Sequence, residues 1–188
     1  GFDEAGAAAS AGPHLFEQTV DALEALPLAT VCRMQGSVYG GATDLALACD
    51  FRIGVDTMKL RMPAVRLGLH YYPSGLRRYV TRLGPSAAKR LFLLAEEVGA
   101  DELLRLGYLD RMARPDRLDA EVDQVVDALQ AGAPLALRGM KQSLDEIARG
   151  EYHLSALRER EARCAASDDL REGKAAMAEK RAPRFNGR

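Results

Sequence analysis

Apolar positions recur through residues 14–26 at Leu15, Thr19, Ala22, Leu23 and Leu26. That spacing gives one mostly apolar face of a helix. Pro13 suits its first turn and Pro27 ends it. The run "LATVCRM", residues 28–34, then reads as a short buried strand. Gly36 breaks the strand, and Gly40 and Gly41 punctuate a turn. "ATDLALAC", residues 42–49, predicts a short helix. In "DFRIGV" the alternation of Phe51, Ile53 and Val55 predicts a second strand. Strand, turn, helix, strand is the order of a layered α/β protein.

Further along, "MKLRMPAVRLGLHYYPSG" is broken by Pro63, Gly68, Pro73 and Gly75, so loops around a short strand are expected. "LRRYVTRLG" and "SAAKRLFLLA" read as two helices parted by Gly84 and Pro85. "GADELLRLG" reads as a third, stopped by Gly107. After Pro115 the pattern turns helical. It predicts helices over residues 117–131, 134–147 and 152–166, and another from Asp168. Leu137, Met140, Lys141, Leu144 and Ile147 mark the stripe of the second, and Asp169 and Glu172 have capping-box spacing in the last. The end, "KRAPRFNGR", is basic and expected to be unwound. No fixed-period repeat appears. The expectation is one α/β domain with a helical C-terminal extension.

Composition narrows the function classes. The 188 residues are 47% hydrophobic and 28% charged, with net charge -1, which gives no support to a nucleic-acid partner. No stretch reaches the length of a membrane span. "GFDEAGAAASAG" shows no signal-peptide pattern and does not begin with methionine. Cys32, Cys49 and Cys164 lack metal-ligand or CxxC spacing, so they read as reduced core thiols of a cytoplasmic protein. His14, His70 and His153 are irregularly spaced, so no metal site is expected.

The candidate chemistry gathers at two places. A glycine turn running into a helix N-terminus can present N–H groups to an anion or to an oxyanion formed in reaction. The pair Gly40-Gly41 is either such a site or a tight turn alone. Asp44, in the helix's first turn, either favours the helix dipole or serves as an acid or base. Asp50 reads as structural, accepting backbone bonds. In "GLHYYPSG", His70, Tyr71 and Tyr72 either pack on the core or offer a proton donor and a hydroxyl to a ligand. Arg77, Arg78 and Arg82 read as a solvated face in preference to an anion frame.

Five blocks in order carry a resemblance over nearly the whole chain: "QGSVYGGATDLALACDFRI", "MPAVRLGL", "SAAKRLFLLAEEVGADELLRLGYLDRM", "APLALRGMKQSL" and "SDDLREGKAAMAEKRAPRFNGR". The sequence resembles the crotonase, or enoyl-CoA hydratase/isomerase, superfamily. The resemblance implies an α/β fold, a spiral of ββα units over residues 1–115 followed by a helical trimerisation region over residues 116–188. It implies a homotrimer or dimer of trimers. It implies an acyl-CoA substrate, with no cofactor beyond the coenzyme A it carries. The Gly41 N–H, beside Gly40, then belongs to an oxyanion hole for a thioester enolate. By the same resemblance Gly41 carries the second amide of that hole, the first lies upstream of residue 1, and residues 1–12 are the tail of its loop. Lys180 and Arg184 fall where family members reach CoA.

Two positions depart from the hydratase pattern. Asp44 stands where the first glutamate is expected, and Ala64, in "MPAV", where the second is expected. Alanine can neither polarise water nor move a proton. "LGLHYYPSGL" is similar to the methylmalonyl-CoA decarboxylase type, with Tyr71 at the tyrosine that orients the substrate carboxylate. That likeness implies loss of CO2 into a thioester enolate, then protonation near Tyr71, His70 or Asp44. The alternatives are a hydratase or isomerase using Asp44 with a non-standard partner, and a catalytically weak acyl-CoA-binding protein.

Overall fold

A computed structural model of the chain describes residues 14–188. Pro13 and the loop tail expected over residues 1–12 lie outside them. The described residues open with helix α1 (Leu15–Glu24), then strands β1 (Val31–Met34) and β2 (Val38–Tyr39) and helix α2 (Gly41–Ala48). The next turn repeats the order with β3 (Phe51–Val55), β4 (Lys59–Arg61) and α3 (Pro73–Lys89). Strand β5 (Val98–Gly99), α4 (Ala100–Arg105) and β6 (Arg111–Ala113) complete the layered part. Helices α5 (Leu118–Gln130), α6 (Pro134–Arg149), α7 (Leu154–Ala165) and α8 (Asp168–Ala178) follow.

Among the described residues the strands form two three-stranded sheets, ordered β1-β3-β6 and β2-β4-β5. Each strand-strand-helix turn adds one strand to each sheet and lays a helix outside, which is the ββα spiral. The first sheet is parallel, with Val31 opposite Phe51 and Ile53 opposite Arg111. In the second, β4 pairs antiparallel with β5. Leu47, Ile53, Leu60, Leu91, Leu103 and Leu109 are buried between the layers, and Leu118 and Val125 of α5 close the core from the other side. Burying aliphatic side chains of this size stabilises the fold by about 1.5–3 kcal/mol each. Among the described residues no helix is long and apolar enough to cross a membrane.

Several elements differ from the sequence expectation. The first strand begins at Val31, not at Leu28, because its partner β3 begins at Phe51. The two helices expected around Gly84-Pro85 are parted there as expected, by a kink at which Gly84 takes the non-helical φ 79° and ψ 161°, but the second runs on into a π-turn over Arg90–Leu94. The cap of α8 is Ser167, whose Oγ accepts from the Leu170 N–H at 3.1 Å. Asp169, read as the cap, instead accepts the Asn186 and Gly187 N–H groups and holds the unwound tail in place.

Asp50 ties three segments together. Its Oδ2 accepts from the Thr30 N–H at 2.7 Å, from Thr30 Oγ1 at 2.9 Å and from Lys141 Nζ of α6 at 2.5 Å. The structural reading of Asp50 therefore has its partners. Removing it strands a mostly buried ammonium, a type of loss worth about 3 kcal/mol. Asp50→Ala is expected to lower the unfolding free energy obtained from urea titration by that amount, and an unchanged value would contradict this role.

Candidate active site

The turn before α2 is set by Gly40. Its φ of 56° with ψ of -128° is a backbone state that a side chain disfavours. The Gly40 N–H donates to the Arg61 carbonyl of β4 at 3.0 Å, and Thr43 returns to the Gly40 carbonyl through both its N–H and its hydroxyl. Thr43 is itself held by buried tyrosines. Its hydroxyl hydrogen-bonds the Tyr79 hydroxyl, and its carbonyl accepts from the Tyr108 hydroxyl at 2.7 Å. At the other end of α2, the Cys49 carbonyl accepts from Arg52 at 2.6 Å and from Arg82 at 2.8 Å. Cations there complement the helix dipole. The helix is pinned at both ends, so the direction of its first N–H groups is fixed.

The head of α2 borders a cleft of about 560 Å³. Gly41 lies on one side, with Phe16 and Glu17 of α1 beside it and Leu69, His70, Tyr71 and Tyr72 across from it. Among the described residues the Gly41 N–H has no hydrogen-bond acceptor. Tyr71 and Tyr72 stack with ring centroids 4.3 Å apart, and Phe16 meets Tyr72 edge-on at 6.0 Å. Gly75, in the first turn of α3, leaves room for both tyrosine rings. His70 lines the cleft with Nδ1 2.9 Å from the Tyr71 carbonyl. Burial pushes the Tyr71 hydroxyl up to about 12.

Asp44 is not in the cleft. It has no accessible surface and sits behind Tyr72, whose hydroxyl donates to its Oδ2. Arg78 Nη1 donates to the same oxygen at 2.7 Å, and Oδ1 has no partner among the described residues. Burial pushes the Asp44 carboxyl above its ordinary value, although the Arg78 charge and the Tyr72 hydrogen bond pull it down.

The expectation of a solvated basic face fails at Arg78. Its side chain is fully buried, and its guanidinium also reaches Glu24 Oε1 at 3.0 Å and Asp21 Oδ1 at 2.7 Å. One cation on α3 thus draws two carboxylates from α1 and one from α2. Arg82, mostly buried, lies 3.6 Å from Glu24 and adds a second charge to the cluster.

Of the residues expected in the site, Gly40, Gly41, His70 and Tyr71 meet at or beside the cleft. Asp44 reaches it only through Tyr72. Lys180 and Arg184 lie in the tail after α8, on none of the cleft walls. Phe16 and Glu17 were missed, and their position in the first turn of an ordinary amphipathic helix gives no signal. Glu17 Oε1 accepts from Ser74 Oγ at 2.9 Å. A larger groove of about 620 Å³ lies in the helical region, lined by Leu135, Met177 and Phe185. Its one acid, Asp169, is committed to the tail, so the groove carries no evident chemistry. Among the described residues no cluster of ligands suits a metal.

Replacing Arg78 by Met leaves three carboxylates without their shared cation, a change worth about 3–5 kcal/mol. Without that cation the raised Asp44 value rises further, so the folded state holds a proton more tightly than the unfolded one. Stability then falls as pH rises through that range, and the deficit of Arg78→Met shrinks on acidification. Urea midpoints near neutrality and at about pH 5 test this. A deficit that grows on acidification would contradict it.

Comparisons with known proteins agree with this architecture. Residues 5–188 match the family model described as Enoyl-CoA hydratase/isomerase. The chain is 31% identical over 165 residues to a crotonyl-CoA hydratase of Syntrophomonas wolfei, covering 87% of this chain and 64% of that protein. It is 33% identical over 181 residues to an enoyl-CoA isomerase/hydratase of Mycosarcoma maydis, covering 93% and 64% respectively. Among solved structures, an enoyl-CoA hydratase/carnithine racemase from Magnetospirillum magneticum superposes with a TM-score of 0.85 at 27% identity, over 92% of this chain and 64% of that one. The chain therefore spans a little under two thirds of the length of these relatives. With the two-sheet spiral, the glycine turn on α2 and the helical C-terminal region, these matches establish that the chain belongs to the enoyl-CoA hydratase/isomerase family of the crotonase superfamily.

Proposed function

We propose that the cleft receives the thioester of an acyl-CoA and that the Gly41 N–H is one donor to its oxygen as an enolate forms. The observation that carries this is the unpaired Gly41 N–H, among the described residues, at the head of a helix pinned at both ends. Such a donor acts without reorganisation at the moment charge develops. The relatives named as crotonyl-CoA hydratase and enoyl-CoA isomerase/hydratase support the substrate class. Coenzyme A is carried by the substrate, and Lys180 and Arg184 are proposed contacts to its phosphates.

The fate of the enolate turns on the acids and bases at hand. Hydration by paired carboxylates needs two of them bracketing a water. Here position 64 is a buried alanine and Asp44 is closed off from the cleft. Loss of CO2 from a carboxyacyl thioester needs no base in its first step, so decarboxylation is the first reading, with Tyr71 orienting the carboxylate. The hydrogen bond from Tyr72 to Asp44 favours a second reading, isomerisation or hydration. Met140, Leu144 and Ile147 leave an apolar stripe exposed on α6, which supports a homo-oligomer, a trimer or a dimer of trimers, as part of the proposal.

The direct assay offers the full-length protein malonyl-type and enoyl-type CoA thioesters, following CO2 release and loss of the conjugated enoyl absorbance. CO2 release above background is expected. Loss of enoyl absorbance without CO2 release would select the second reading, and turnover of neither would overturn the proposal. A Cβ at Gly41 would lie 2.9 Å from the Phe16 ring. Gly41→Ala is therefore expected to shift ring and turn and cut kcat by about 10²-fold. Unchanged turnover would remove Gly41 from the mechanism.

A further inference from the structure

We propose that Tyr72 is the residue through which Asp44 exchanges a proton with the substrate. The inference rests on the acyl-CoA reading and deepens it. A general acid or base must lie within hydrogen-bond reach of the proton it moves, directly or through one intermediary. Asp44 has no accessible surface, so it cannot touch a ligand. Its side-chain partners among the described residues are Arg78, which faces away into the charge cluster, and Tyr72, which lines the cleft. The Tyr72 hydroxyl is thus the polar link between the buried carboxylate and the ligand space.

The other polar groups of the cleft are differently engaged. The Tyr71 hydroxyl turns to the Tyr72 hydroxyl at 3.3 Å. Glu17 Oε1 is held by Ser74, and its Oε2 lies 3.5 Å from His14 Nδ1. His70 Nδ1 faces the Tyr71 carbonyl. On the buried side, Arg78 fixes Asp44 Oδ2 while sharing its charge with Glu24 and Asp21. The carboxylate is therefore oriented, and its attraction for a proton is not cancelled.

The step balances with this chain's own groups. The Cα–H bond of the thioester breaks, and its electron pair enters the thioester as an enolate whose oxygen faces the Gly41 N–H. The proton goes to the Tyr72 oxygen as the tyrosine's own proton passes to Asp44 Oδ2. Tyr72 is neutral before and after. Burial and the Asp44 hydrogen bond hold its ionisation far above the ordinary tyrosine value, so a free tyrosinate is not required. The reverse transfer returns a proton to carbon, and the same route serves an enolate left by loss of CO2.

The test is exchange of the α-hydrogens of a saturated short-chain acyl-CoA with D2O, followed by NMR on the full-length protein. The wild type is expected to exchange. Tyr72→Phe is expected to slow exchange by about 10²-fold while thioester affinity holds. Asp44→Asn should lose a similar factor, and the double variant should be no slower than the slower single one, as for groups acting in series. Thermal melts check that each variant is folded, and if Asp44→Asn does not fold, Tyr72→Phe alone decides. Exchange at the wild-type rate in Tyr72→Phe, or losses that multiply in the double variant, overturns the relay. Binding without exchange by the wild type overturns the relay and leaves the acyl-CoA reading standing. Absence of thioester binding overturns both.

Discussion

The Arg78 guanidinium has no accessible surface, and Asp21, Glu24 and Asp44 converge on it from two other helices. Burying an isolated cation costs several kcal/mol, and the cost is offset only when well-placed acceptors surround it. The acceptors here come from α1 and α2, so the charge cluster fixes the relation of those helices to α3. The cleft lies where the same three helices begin. Phe16 stands on the first turn of α1, Gly41 on the first turn of α2, and Tyr72 immediately before α3. The geometry of the ligand space is thus a consequence of one ionic arrangement behind it.

That arrangement also changes what Asp44 can do. An acid in the first turn of a helix is expected to face solvent or ligand. Here Arg78 draws it inward and the Tyr71-Tyr72 stack covers it. Gly41 stays in the cleft wall because Gly40, Thr43, Tyr79 and Tyr108 hold the turn. One wall of the cleft holds Gly41, whose N–H has no acceptor among the described residues, and the other holds Tyr72, whose hydroxyl is backed by the Asp44 carboxylate.

Much of the fold was legible because its signals are local. The α2 helix and β3 follow from the glycine pair and the alternation of Phe51, Ile53 and Val55, and the C-terminal helices follow from apolar periodicity. Strands β2 and β5 are two residues long, too short for any period, and exist through pairings such as Leu60 with Val98. The site was legible to the same extent. Gly40, Gly41 and the aromatic loop were visible as a turn and a cluster. Arg78 was not, because its acids lie 34 to 57 residues away in sequence. Nothing local distinguishes Tyr71 from Tyr72. Which of them meets Asp44 is decided by where α3 starts, at Pro73, and by the space Gly75 leaves for the rings.

The proposed function requires the Gly41 side of the cleft to polarise a thioester carbonyl. Infrared difference spectroscopy measures this directly, using an acyl-CoA labelled with carbon-13 at the thioester carbonyl and bound to the full-length protein. The labelled carbonyl band is expected to move to lower frequency on binding, as the C=O bond weakens under donation from the backbone N–H. A bound thioester whose band stays at its position in water would contradict it.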